Sequence, residues 1–132
     1  MLSGRCLCNA VTFTVEAVDN DYHVCHCGMC RRWSGGPVMA TDARGVVFAG
    51  NESLSRYDSS EWAQRGFCKC CGSNLFYYLK PADRYLMSVG AFDEADRFRM
   101  VGEIFVDHQP PGYQFAGNLS RETEAEVLAK FA

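Results

Sequence analysis

The sequence predicts a mostly β fold, on three observations. Apolar residues alternate with threonines at Val11, Phe13 and Val15, the period-2 pattern of a strand with one buried face. Further short runs rich in β-branched and aromatic side chains are separated by turn-forming Gly, Pro, Asn and Asp. Only two stretches carry helical signals, and both are short.

In chain order, strands are expected over residues 11–15, 46–49, 75–79, 85–89 and 104–106. Between them lie turn signals at Asp19-Asn20, Ser34-Gly35-Gly36-Pro37, Arg44-Gly45, Gly50-Asn51 and Lys80-Pro81. A single helical turn is expected after Gly28, over 29–33. Ser120 can cap a C-terminal helix over 120–131, with Glu122 and Glu124 near its positive end and Lys130 near its negative end. Val127, Leu128 and Phe131 would share one face of it. Pro110-Pro111-Gly112 excludes a helix at that point.

The chain of 132 residues fits one domain, 1–132, large enough to bury a core. With 48% hydrophobic and 22% charged residues it is too apolar for a disordered chain. No stretch approaches the ~18 apolar residues of a membrane span, and residues 1–10 lack the profile of a secretion signal. The expected location is the cytoplasm, with no membrane partner. A net charge of −3 gives no global attraction for nucleic acid, so no nucleic-acid partner is expected. Exposed strand edges leave room for a homodimer.

Eight cysteines in a reducing compartment ask for a metal before they ask for disulfides. They form three clusters: Cys6-Leu7-Cys8, Cys25-His26-Cys27-Gly28-Met29-Cys30, and Cys68-Lys69-Cys70-Cys71. On an extended strand Cys6 and Cys8 point to one side. Cys68 and Cys71 have the spacing of a zinc knuckle, with Gly72 free to take the positive φ such turns need. These two pairs complete a closed four-thiolate site of the structural kind. A competing partition joins Cys27 and Cys30 to Cys68 and Cys71 as a zinc ribbon, at the expense of a role for Cys6, Cys8 and Cys25. Iron–sulfur spacings differ from these. Cys25, Cys27 and Cys30 can hold one face of a second zinc and leave its fourth position open, as catalytic zinc sites do. A helix after Gly28 would aim N–H groups at these sulfurs, and Arg31 and Arg32 add positive charge. Cys70 is a spare thiol.

The motifs resemble a known family, the glutathione-dependent formaldehyde-activating enzymes, grouped with centromere protein V. The likeness rests on Gly4-x-Cys6-x-Cys8, on Cys25-His26-Cys27-x-x-Cys30-Arg31-Arg32-x-Ser34-Gly35, and on Phe67-Cys68-x-x-Cys71-Gly72-Ser73-x-Leu75. A weaker tail match runs from Ile104-Phe105-Val106-Asp107 to Pro110, Pro111 and Tyr113, so the likeness spans residues 4 to about 117. It implies an all-β tent of antiparallel sheets pinned by a structural zinc on Cys6, Cys8, Cys68 and Cys71. It also implies a labile catalytic zinc on Cys25, Cys27 and Cys30, beside which glutathione binds. The family reaction joins glutathione to formaldehyde as S-hydroxymethylglutathione, classed in reverse as carbon–sulfur lyase chemistry. This sequence departs from the pattern at Asn9, where glycine is usual, at Glu103, where a histidine is often found, and at Cys70.

A zinc-dependent carbon–sulfur lyase acting on a glutathione-like thiol and a small aldehyde is therefore expected. A thiolate held at neutral pH by zinc would add to the aldehyde carbon, and Arg31 and Arg32 would hold substrate carboxylates. Arg65 and Lys80 are weaker candidates. His26 alternates with Cys25 and Cys27 and is expected to point outward. A non-catalytic zinc-stabilised binding module and a thiol redox sensor are the alternatives.

Overall fold

The computed structural model describes residues 1–131. The fold is of the all-β class, with two short α-helices. In chain order it runs β1 (Leu2–Arg5), β2 (Thr12–Val15), β3 (Ala17–Val18), β4 (Asp21–Cys25), α1 (Gly28–Ser34), β5 (Val38–Arg44), β6 (Val47–Ala49) and β7 (Leu54–Asp58). It continues with β8 (Ala63–Cys68), β9 (Asn74–Leu79), β10 (Arg84–Ser88), β11 (Arg99–Ile104), β12 (Ser120–Glu122) and α2 (Glu124–Ala129). Among the described residues no helix is long and apolar enough to cross a membrane. The chain divides into two compact units, residues 1–20 with 40–98, and residues 21–39 with 99–131.

The first unit is antiparallel throughout. β1, β2 and β6 form one sheet, with Phe13 of β2 opposite Gly4 and Phe48. β5, β10, β9, β8 and β7 follow one another in a second, with β3 on β5. Val11, Phe13 and Val15, the alternating residues of the sequence, all face the core with Leu75, Phe76, Met87 and Phe92. Phe13 and Phe92 meet edge to face, with ring centroids 5.2 Å apart. Two buried cysteines, Cys6 and Cys68, belong to the same cluster. The first two cysteine pairs are thus carried on a packed scaffold: Cys6 and Cys8 lie in the connection from β1 to β2, and Cys68 to Cys71 in the turn from β8 to β9.

The second unit pairs in parallel. β11 lies beside β4, with Glu103 opposite Val24 and Ile104 opposite Cys25, and β12 flanks β11 on its other edge. These parallel pairs depart from the expected antiparallel sheets. A parallel pair needs a long crossover and leaves no hairpin signature in the sequence. Phe105 ends β11 at φ 57°, a left-handed backbone that non-glycine residues seldom adopt. It turns the chain sharply into a strap that carries His108, Gln109 and Tyr113.

The expected C-terminal helix is shorter than its predicted span. Ser120 belongs to β12, and the cap is Thr123, whose hydroxyl accepts from the Glu126 N–H while the Glu126 carboxylate accepts from the Thr123 N–H. This reciprocal capping box fixes the start of α2.

Candidate functional site

The structure gathers seven of the eight cysteines into two groups. Cys6, Cys8, Cys68 and Cys71 place their sulfurs within 4.8 Å of one another, and so do Cys25, Cys27 and Cys30. The ribbon partition, which needs Cys27 and Cys30 beside Cys68 and Cys71, is not the grouping observed.

The first group is built by two hairpin ends. Cys6 and Cys8 sit in a turn rather than on an extended strand. The Asn9 N–H donates to the Cys6 carbonyl at 3.3 Å, and Asn9 takes φ 70°, a left-handed conformation that asparagine tolerates. Opposite, the Gly72 N–H donates to the Cys68 carbonyl at 2.7 Å, and Gly72 adopts the positive φ expected of the knuckle, +79°. Sulfurs about 2.3 Å from a central zinc define a tetrahedron with edges of about 3.8 Å. The separations are 3.7 Å for Cys6 to Cys8 and 3.8 Å for Cys8 to Cys68. The residues therefore fit such an ion. The Ser73 hydroxyl and N–H, with the Cys8 N–H, hold the Cys71 thiol down at about 5. Ser73 Oγ also accepts from the Leu7 N–H at 3.0 Å, tying one hairpin end to the other.

The second group sits where β4 gives way to α1. Cys25 is the last residue of β4, and Cys27 is the N-cap of α1, accepting from the Cys30 N–H at 3.4 Å. Hydrogen bonds from the Cys25 and Cys30 side chains, joined by the N–H groups of Cys30 and Met29, lower the Cys27 thiol to about 2. Cys25 is pushed up by the same sharing, with Cys27 and then Cys30 as the causes. Within the trio, negative charge is thus favoured on Cys27 over Cys25. Among the described residues no other Cys, His, Asp or Glu ligand atom joins this group, so the donor set is one short of a tetrahedron.

His26 corrects the sequence reading. Its side chain is buried rather than outward, and its backbone N–H extends the pairing with β11 by donating to the Ile104 carbonyl at 3.1 Å. His26 Nε2 lies 2.8 Å from Glu103 Oε1, and Glu103 Oε2 accepts from Arg121 Nη1 at 2.5 Å. Glu103 is itself buried. The other ring nitrogen, Nδ1, lies 2.7 Å from the Tyr113 hydroxyl, so both nitrogens are hydrogen-bonded. Arg121 Nη2 also donates to Gln109 Oε1 at 3.0 Å. Glu103, Gln109, Tyr113 and Arg121 line one side of a cavity of about 500 Å³, with Phe115 and Leu119 among its apolar walls. Sequence reasoning noted Glu103 only as a departure and Tyr113 only as part of a tail motif. It missed Arg121 and Gln109, which carry no local signal.

Arg31 and Arg32 both occupy the exposed face of α1 in its last turn. The weaker candidates are committed elsewhere. Lys80 pairs with Asp58 at 2.9 Å, and Arg65 is buried with its guanidinium 5.0 Å from the Tyr77 ring centroid. Cys70, outside both groups, is exposed with its sulfur 3.6 Å from Ser53 Oγ.

Comparison with known proteins matches residues 1–108 to a family described as glutathione-dependent formaldehyde-activating enzyme. An uncharacterized lyase of Schizosaccharomyces pombe is 31% identical over 127 residues, covering 95% of this chain and 93% of the relative. A Halomonas elongata protein, provisionally named a glutathione-dependent formaldehyde-activating enzyme, is 32% identical over 88 residues, 59% of this chain and 56% of its own length. The crystal structure of a Rhodobacter sphaeroides protein superposes with a TM-score of 0.61 at 27% identity, over 70% of this chain and 88% of that one.

Proposed function

The chain belongs to the family of glutathione-dependent formaldehyde-activating enzymes, and from that premise we propose that it is a zinc-dependent carbon–sulfur lyase that makes or breaks the adduct of a glutathione-like thiol with a small aldehyde. The observation that carries this reading is the trio at the head of α1: three sulfurs within 4.8 Å of one another, with a fourth position left for a ligand.

In this reading residues 1–132 act as one zinc-binding domain with two ions. Cys6, Cys8, Cys68 and Cys71 hold the structural one. Cys25, Cys27 and Cys30 hold the catalytic one, which supplies Lewis-acid stabilisation of a thiolate at neutral pH when bound. Arg31 and Arg32, exposed beside the trio on α1, take the carboxylates of the thiol and orient it. In the forward direction the thiolate sulfur forms a bond to the aldehyde carbon, the carbonyl π pair moves to oxygen, and a proton from water completes the hemithioacetal. The reverse steps release aldehyde and thiol. We place the reaction in the cytoplasm, with no nucleic-acid or membrane partner, in a chain able to form a homodimer.

The test is a zinc count per chain combined with calorimetric titration of glutathione, in wild type and in Cys30→Ala. Two ions and glutathione binding in wild type, with one ion and no glutathione binding in the variant, are expected. A Cys30→Ala protein that keeps both ions and its thiol affinity overturns the assignment.

A further inference from the structure

The trio brackets a residue that is no ligand. His26 leaves the backbone on the opposite side from Cys25 and Cys27, as the alternation of an extended segment requires, and its burial matches that of Val24 two residues earlier. What holds it there is unusual for a small β protein: a buried carboxylate from β11, a phenol hydroxyl from the strap, and an arginine from β12 behind the carboxylate. Charge-assisted hydrogen bonds of this kind are the strong ones, and removing one partner leaves a buried polar group unsatisfied. The bonds fix both nitrogens of the His26 ring. They also fix the backbone from Cys25 to Cys27, because the His26 N–H is tied to the Ile104 carbonyl beside Glu103.

We infer that Glu103, acting through His26, with Tyr113 holding the other nitrogen of the ring, is a positioning residue that presets the spacing of the Cys25, Cys27 and Cys30 sulfurs and so sets the affinity of the trio for its metal ion. The inference rests on the reading of the trio as a metal site. A set of only three protein ligands has no fourth sulfur to compensate for a loose loop, so order in that loop must come from outside the ligands. Support around a metal's ligands is commonly worth 10–100-fold in affinity. Glu103, Tyr113 and Arg121 supply that support from three separate segments, while the four-cysteine group has no share in it.

The 132-residue chain, loaded with zinc, provides its own control. Release of the two ions to a competing chelator is followed in wild type, Glu103→Ala and Tyr113→Phe. We expect the trio ion to bind about tenfold more weakly in Glu103→Ala and a few-fold more weakly in Tyr113→Phe, with the four-cysteine ion released as in wild type. With cobalt in place of zinc, the thiolate-to-metal absorption of the trio should change in the same variants. Tyr113→Phe, which deletes one oxygen, decides the matter if Glu103→Ala does not fold. Wild-type affinity at the trio in the folded variants overturns the inference alone. A wild-type chain that takes up one ion only overturns the metal reading of the trio, and this inference with it.

Discussion

The ring of Phe76 lies directly against the α-carbon of Gly66: a Cβ added there would stand 2.1 Å from Cζ of the ring. The two residues face each other across β8 and β9, and Phe76 is almost wholly buried. The contact packs the body of the hairpin whose turn carries Cys68 and Cys71. Gly66→Ala must displace a core ring, and overpacking of this kind costs about 1–3 kcal/mol. We expect a lowered midpoint in urea unfolding with an unchanged slope. A midpoint equal to wild type would show that the ring moves aside freely.

Cys71→Ala removes one corner of the four-sulfur group and, with it, the site of the structural ion proposed to join the hairpin ends. Structural zinc contributes apparent energies of about 10–16 kcal/mol in finger peptides, comparable to the whole stability of an ordinary domain, about 5–15 kcal/mol. The variant should lack a cooperative melt and bind at most the trio ion. A sigmoidal thermal transition near that of wild type contradicts the role given to this group.

His108 Nε2 sits 2.7 Å from Glu124 Oε1 at the start of α2. That carboxylate, with Asp107 adding to it, raises the His108 pKa above its usual value. The protonated ring is therefore held better in the folded chain than in the unfolded one. Its contribution is complete below the ordinary histidine value of about 6.5 and fades as pH rises through the raised folded value. Amide exchange in α2, corrected for its intrinsic pH dependence, should quicken between pH 6 and 8 in wild type. The same correction should leave His108→Gln flat, and an equal slope in both would exclude the pair as the cause.

Thr123→Ala deletes one half of the capping box of α2. Loss of an N-cap side chain costs about 1 kcal/mol, and α2 is short and has no buried residues. The expected effect is local: faster exchange of the α2 amides with little change in global unfolding. A drop in global stability of several kcal/mol would mean that α2 is integral to the cooperative unit.

The cysteine groups were legible because each is assembled from pairs close in sequence, where spacing alone constrains geometry. The strand at Val11 to Val15 was legible for the same reason: one face is buried, so the pattern shows. His26 exposes the limit of such reasoning. Alternation placed it correctly on the side away from Cys25 and Cys27 but could not tell that this side is the interior. Its partner Glu103 lies 77 residues on, and a glutamate without its histidine and arginine reads as a surface residue. Ser120 was misplaced by a comparable long-range effect. Pairing with β11 draws it into a strand, and the true helix start, Thr123 with Glu126 three residues later, is a signal the sequence did contain.

The two thiol groups differ in how much chain must be gathered to form them. Cys25 to Cys30 spans six residues, so little chain entropy is lost in bringing its sulfurs together. Cys6 and Cys71 are 65 positions apart, more than three doublings of loop length, which at about 0.6 kcal/mol per doubling adds roughly 2 kcal/mol of closure entropy. The trio can thus be gathered as soon as its own segment is made, whereas the four-cysteine group must wait for the turn from β8 to β9.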